Sequence, residues 1–168
     1  MSLFAPLQAG CLLAFVLLLI AAGWQDLRTM RIANGLSLAI AACFAVWALA
    51  GLGVGTMSIT SVALSAACAA ALFGAGAMAF AAGGLGGGDV KLLAAAGLFA
   101  GPGLLVDLLM VTALVGGALG MAILAGAPIG PAAPAGGVTI RARLRGGLPY
   151  GPAIAAGGLW VAASLAVS

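Results

Sequence analysis

Long apolar runs, broken at only a few points by polar or charged residues, set the pattern of this chain. They fall at 5–24, 35–53, 59–82, 104–126 and 148–167. Each is close to the ~20 residues that a helix needs to cross a hydrocarbon core of ~30 Å. A further apolar stretch, 90–101, is ended by Pro102-Gly103. At 1.5 Å per residue it reaches only roughly 18 Å. It can cross only if it starts below the surface or if neighbours shield its ends.

Composition identifies the solvent. The chain has 168 residues, 65% hydrophobic and 5% charged, against roughly 25% charged in a soluble domain. Most of this surface therefore faces lipid. The basic residues are Arg28, Arg31, Lys91, Arg141, Arg143 and Arg145. Six crossings with the N-terminus outside put the linkers 25–34, 83–90 and 127–147 in the cytoplasm. Those linkers and their immediate edges carry every basic residue, and the opposite connections, 54–58 and 102–103, carry none. This is the positive-inside pattern. Five crossings would set the Arg141, Arg143 and Arg145 cluster on the other side from Arg28 and Arg31. The expected fold is all-α: a polytopic protein of six transmembrane helices with both termini outside the cytoplasm.

Residues 1–168 read as a single membrane-embedded domain without internal repeats. The segment 127–147, rich in Pro, Gly and Arg, reads as a flexible cytoplasmic loop whose arginines can touch anionic headgroups. The first 27 residues hold no Lys or Arg, unlike the positive start of a cleavable signal peptide, so 3–24 reads as a retained span. Glycines four apart (Gly51/Gly55, Gly97/Gly101, Gly116/Gly120) read as helix-packing positions.

Several chemistries drop out. Histidine is absent, which removes Ser-His and Cys-His nucleophile pairs and most zinc sites. Cys11, Cys43 and Cys68 are odd in number and lie within apolar runs, as small core hydrophobes do. No basic face suggests nucleic acid. Neither a metal nor a cofactor is expected, and the oligomeric state is left open.

Three polar islands remain: QDLRTMRIANG at 25–35, GGGDVKL at 86–92 and LPYGPAI at 148–154. Asp26 meets the unfavourable negative end of the first helix dipole. Its bland role is a headgroup-level acid offset by Arg28 or Arg31. Asn34 reads as the N-cap of the second span, and Asp89 as a cap of the helix begun by VKLL. Gly86, Gly87 and Gly88 permit a tight turn and the close approach of another backbone. Yet a carboxylate at or just below the interface is costly and is a functional hypothesis by default. Lys91 either snorkels to the surface or acts on the Asp or on a substrate backbone, and the sequence leaves both open.

On this topology Asp26 and Asp89 emerge on one face at similar depth. Two carboxylates in low dielectric do not both ionise readily, so one keeps a proton while the other stays charged. The charged one can deprotonate water while the neutral one protonates a scissile carbonyl. That is peptide hydrolysis without Ser, Cys, His or metal, with the two roles unassigned. Asp107, on the outer side, should not reach the pair.

The GGGD at 86–89 fits the GxGD signature of membrane aspartic proteases, and GGGDVKL resembles the second motif of type IV prepilin peptidases. QDLRTMRIAN resembles their first motif, and LPYGPAI their Pro-Tyr-Gly-Pro-Ala segment. The order and the intervening spans also fit, so the resemblance covers nearly the whole chain. It implies Asp26 and Asp89 as catalytic pair. Gly86, Gly87, Gly88, Lys91, Asn34, Arg28, Arg31, Pro149 and Tyr150 are candidates for binding substrate or shaping the site. It further implies removal of a prepilin's basic leader, ahead of its hydrophobic helix, at the cytoplasmic side of the bacterial inner membrane.

Ala33 stands where the family usually has Pro. The N-terminal cytoplasmic region with paired cysteines, linked to N-methylation in the large members, has no counterpart. The chain therefore resembles the short form associated with tight-adherence (Flp) pili, and methyltransferase activity is not expected. Archaeal preflagellin peptidases are a related group that the motifs do not firmly exclude. A different class is a non-catalytic membrane subunit or small transporter, with Asp26 and Asp89 as proton or cation ligands. That reading expects acids nearer the membrane middle. A GxGD protease that cuts within membrane helices is disfavoured by the DVKL and Pro-Tyr-Gly-Pro segments.

Overall fold

The computed structural model describes residues 4–127 and 149–167, with side chains from Pro6 onward. The expected loop 127–147, with its three arginines, lies beyond Ala127 outside the described residues. Among the described residues all regular structure is helical: α1 (Phe4–Thr29), α2 (Asn34–Gly53), α3 (Ile59–Ala81), α4 (Gly87–Leu124) and α5 (Gly151–Val167). Four of them, α1 to α4, are long and apolar enough to cross a membrane. The chain is thus a helical membrane protein.

Helical periodicity decides which face of each element is inside. On α1, Cys11, Phe15, Leu19, Ala22 and Asp26 form one buried stripe, while Leu13, Leu17, Ile20 and Trp24 face outward. On α4, Asp89, Leu92, Ala96 and Phe99 form the matching stripe. The two stripes meet where the Phe15 and Phe99 rings stack at 4.0 Å, and Phe44 and Trp47 of α2 close around Phe99. α3 starts with a capping box, Ser58 and Ser61 each accepting the other's backbone N–H. The cysteines are free, and the Cys43 thiol donates to the Cys11 carbonyl at 3.1 Å.

The expected short span 90–101 and the span 104–126 form one helical element, interrupted at Gly101 (φ 53°, ψ −166°) just before Pro102. Gly101 takes a left-handed φ that L side chains resist. Pro102 then suits the first turn of a new helical run, where its missing N–H costs nothing. Contacts on the two sides run in opposite senses. Before the break, Val90 meets Gly76 and Gly97 meets Leu72, so residues 87–100 are antiparallel to α3. After it, Gly157 meets Leu108 and Gly116 meets Tyr150, so 102–124 is antiparallel to α5. α5 is in turn antiparallel to α1, through Gly158 against Leu19 and Gly23 against Ala155. The chain therefore doubles back at Gly101.

Three local expectations are corrected. α1 continues to Thr29, five residues past the expected end, so Asp26 and Arg28 are helical and the linker shrinks to 30–33. The N-cap position of α2 is Ala33, without a side-chain cap, and Asn34 is the first helical residue. The N-cap position of α4 is Gly86, which puts Asp89 at the third helical position. Of the glycine pairs, Gly51, Gly97, Gly101 and Gly116 make close contacts, whereas Gly55 has open space and a left-handed φ.

Candidate active site

The antiparallel stripes of α1 and α4 determine where the two acids go. Asp26 lies eleven residues past Phe15, and Asp89 ten residues before Phe99. At 1.5 Å per residue both stand about 15–17 Å from the ring stack, at the same end of the bundle. Both are buried, Asp26 4% and Asp89 8% exposed. Between them is a cavity of about 280 Å³ lined by both acids, by Met30, Arg31 and Ile32, and by Gly86, Gly87 and Gly88.

Each wall has a local cause. Met30 ends α1 with a left-handed φ of 53°, and its N–H donates to the Asp26 carbonyl at 2.8 Å. This is the αL helix stop, here without the usual glycine. The following stretch is tied back where the Ala33 N–H donates to Gln25 Oε1 at 3.0 Å. Gly88 packs against this stretch: a Cβ on it would lie 3.1 Å from Ile32 Cβ and 3.4 Å from the Ile32 backbone. The backbone admitted by the glycine turn is therefore the chain's own Ile32.

The two carboxylates are held by backbone donors. The Gly151 N–H, at the start of α5, donates to Asp26 Oδ2 at 2.8 Å. Asp26 thus sits at the negative end of α1 but also at the positive end of α5. A Cβ on Gly151 would lie 2.6 Å from Asp26 Cβ. Asp89 reaches back to accept the Gly86 N–H, as the acid of a capping box does. Its Oδ1 is buried and has no partner among the described residues. Such an orphan oxygen is costly unless water or a ligand meets it.

The other sequence candidates divide. Gly86, Gly87, Gly88 and the exposed Arg31 line the acid cavity. Arg28 lies over the Trp24 ring at 4.6 Å instead. Lys91 Nζ donates to Asn34 Oδ1 at 2.8 Å, and both line a different cavity. Pro149 is fully buried. Tyr150 is half-buried, its ring against Gly116 and its carbonyl accepting the Ile154 N–H at 3.0 Å. Asp107 is half-exposed on residues 102–124, next to the Leu108 that meets Gly157. Gly151, Met30 and Ile32 were not expected at the site. The Gly151-Pro152 step carried a usable signal, because a helix that starts there offers an orphan N–H.

The chain matches the model of the type IV leader peptidase family over residues 13–121. The match takes in α1 from Leu13 onward, all of α2 and α3 and nearly all of α4, including both acids and the glycine turn, and ends before Pro149. No curated protein and no solved structure gives a match. Because the family match takes in well over half of the sequence and both acid-bearing helices, the chain belongs to the type IV leader peptidase family.

Proposed function

We propose that the chain is an aspartic endopeptidase that removes the leader of Flp-type prepilins at the cytoplasmic face of the bacterial inner membrane. One observation carries the reading: two buried carboxylates from separate helices face a single small cavity walled by glycines. A water between them would lose a proton to the charged acid as its oxygen attacks the scissile carbonyl. The neutral acid would protonate the carbonyl oxygen. Collapse of the tetrahedral intermediate breaks the C–N bond, and a proton passes to the departing amine. The pair titrates as a unit, so neither acid is assigned a fixed role.

The doubling back at Gly101 supports six crossings, with residues 87–100 and 102–124 crossing separately and both termini outside. Arg28, Arg31 and Lys91 cluster at the acid end, which suits a cytoplasmic face. A basic leader in the cytoplasm followed by an apolar helix in lipid would then reach the cavity at the interface. An ion path would need acids spaced through the membrane, whereas Asp26 and Asp89 both sit in terminal turns, of α1 and α4.

The test is co-expression with a candidate prepilin, followed by gel shift of the pilin. Asp26→Asn and Asp89→Asn should each abolish leader removal at unchanged expression, and Asp107→Asn should process normally. Processing by either of the first two variants would refute the dyad.

A further inference from the structure

Helices α2 and α3 are consecutive, yet each packs on residues 87–100 of α4. α3 does so through Gly76 against Val90 and Leu72 against Gly97, and α2 through Asn34 on Lys91 and Phe44 on Phe99. The wedge between them is a cavity of about 490 Å³. Its polar residues, Asn34, Ser37 and Lys91, are at the acid end of the bundle. Leu38, Phe73 and Leu98 line its apolar part. Lys91 and Leu98 are on the face of α4 opposite Asp89, so this cavity is separate from the one between the acids.

Two polar groups there want a ligand. Lys91 has no ion pair among the described residues, and its ammonium spends one donor on a neutral amide. Ser37 is only 7% exposed, and its Oγ has no hydrogen-bond partner among the described residues. A buried hydroxyl in that state is unfavourable. Ser37 is one turn along α2 from Asn34, about 4.5 Å deeper. The unmet needs are thus an anion at the surface, an acceptor one turn below, and an apolar chain beneath both.

Geometry and chemistry select the occupant. A helix laid against the wedge satisfies its backbone groups internally and offers no main-chain acceptor to the Ser37 hydroxyl or anion to the Lys91 ammonium. An extended peptide would leave backbone groups unsatisfied in lipid. An acyl chain has no such groups. We propose that the α2–α3 wedge is a binding site for an anionic phospholipid. The phosphate meets Lys91 Nζ, an ester carbonyl accepts from Ser37 Oγ, and one acyl chain lies along Leu38, Phe73 and Leu98. Basic pockets between membrane helices hold anionic headgroups by the same physics.

Native mass spectrometry of the purified protein tests this, with dioleoylphosphatidylglycerol, dioleoylphosphatidylcholine and inorganic phosphate as probes. The parent should retain one phosphatidylglycerol at least about fivefold better than phosphatidylcholine, the worth of one lysine. Inorganic phosphate at equal concentration should neither bind nor displace it. Lys91→Met should make the two lipids equal. Ala94→Trp should fill the wedge and lose both. If that variant does not fold, Ala41→Leu on the facing wall gives the same readout. Equal retention of the two lipids by the parent overturns the proposal, as does unchanged retention in the wedge-filling variant. Displacement of lipid by a prepilin-derived apolar peptide, or by a second copy of the chain, overturns it too. Retention is measured without turnover, so its failure leaves the proposed peptidase activity standing.

Discussion

The backbone N–H of Gly151 donates to Asp26 Oδ2 at 2.8 Å, joining the start of α5 to the end of α1 across 125 residues of sequence. A carboxylate placed against the C-terminal carbonyls of its own helix is unfavourable. The N-terminus of another helix offsets this. The first and third polar islands are therefore one structural unit, and the second meets it at Ile32 through Gly88.

Gly151→Ala should disable the site while leaving the protein folded. The new Cβ meets Asp26 Cβ at 2.6 Å and Oδ2 at 2.8 Å, so α5 or the acid must shift. A misplacement near 1 Å costs about 100-fold in rate, and overpacking costs about 1–3 kcal/mol. Gly35→Ala is the control, because a Cβ there has nothing within 4 Å. Single-turnover cleavage of a prepilin peptide by the two variants measures the difference.

Met30 should tolerate Gly and reject Val. Its φ of 53° is open to glycine, whereas a β-branched residue at such an angle is an outlier. Cleavage by Met30→Gly should stay within a fewfold of the parent, and Met30→Val should fall well below it. Equal activity of the two would show that this turn does not set the cavity wall.

Phe99→Ala should be the most damaging single truncation in the core. Its ring stacks on Phe15 at 4.0 Å and lies 5.3 Å from that of Phe44. Phe-to-Ala changes in cores cost about 3–5 kcal/mol. Leu114→Ala, on a side chain 67% exposed toward lipid, should cost little by comparison. Unfolding in mixed micelles reads both.

The pH dependence of kcat/KM should be bell-shaped, because one proton must be present and one absent on the pair. A profile with one limb would point to a single titrating group.

The apolar pattern gave the bounds of α2 and α3 to within a residue, because both are bracketed by glycine or serine turns. It stopped α1 early, before Gln25, since a polar cluster reads as linker when nothing indicates that Asp26 continues the buried stripe of Phe15 and Leu19. Pro102 read as an end, although proline is also a favourable start. The pairing of Lys91 with Asn34 spans 57 residues, and no local spacing reveals it. The two acids were legible as a pair because so few charges occur in the chain. The amide that holds Asp26 was not, because a backbone N–H leaves no mark in composition.

If Asp26 and Asp89 act as one unit on one water, neither acid can work without the other. Single-turnover cleavage of a prepilin peptide by the purified parent, Asp26→Asn, Asp89→Asn and the double variant in lipid nanodiscs tests it most directly. Groups that work as a unit are strongly non-additive, so either single change should abolish cleavage and the double variant should be no worse. Losses that multiply in the double variant, or measurable cleavage with either acid gone, would contradict the account.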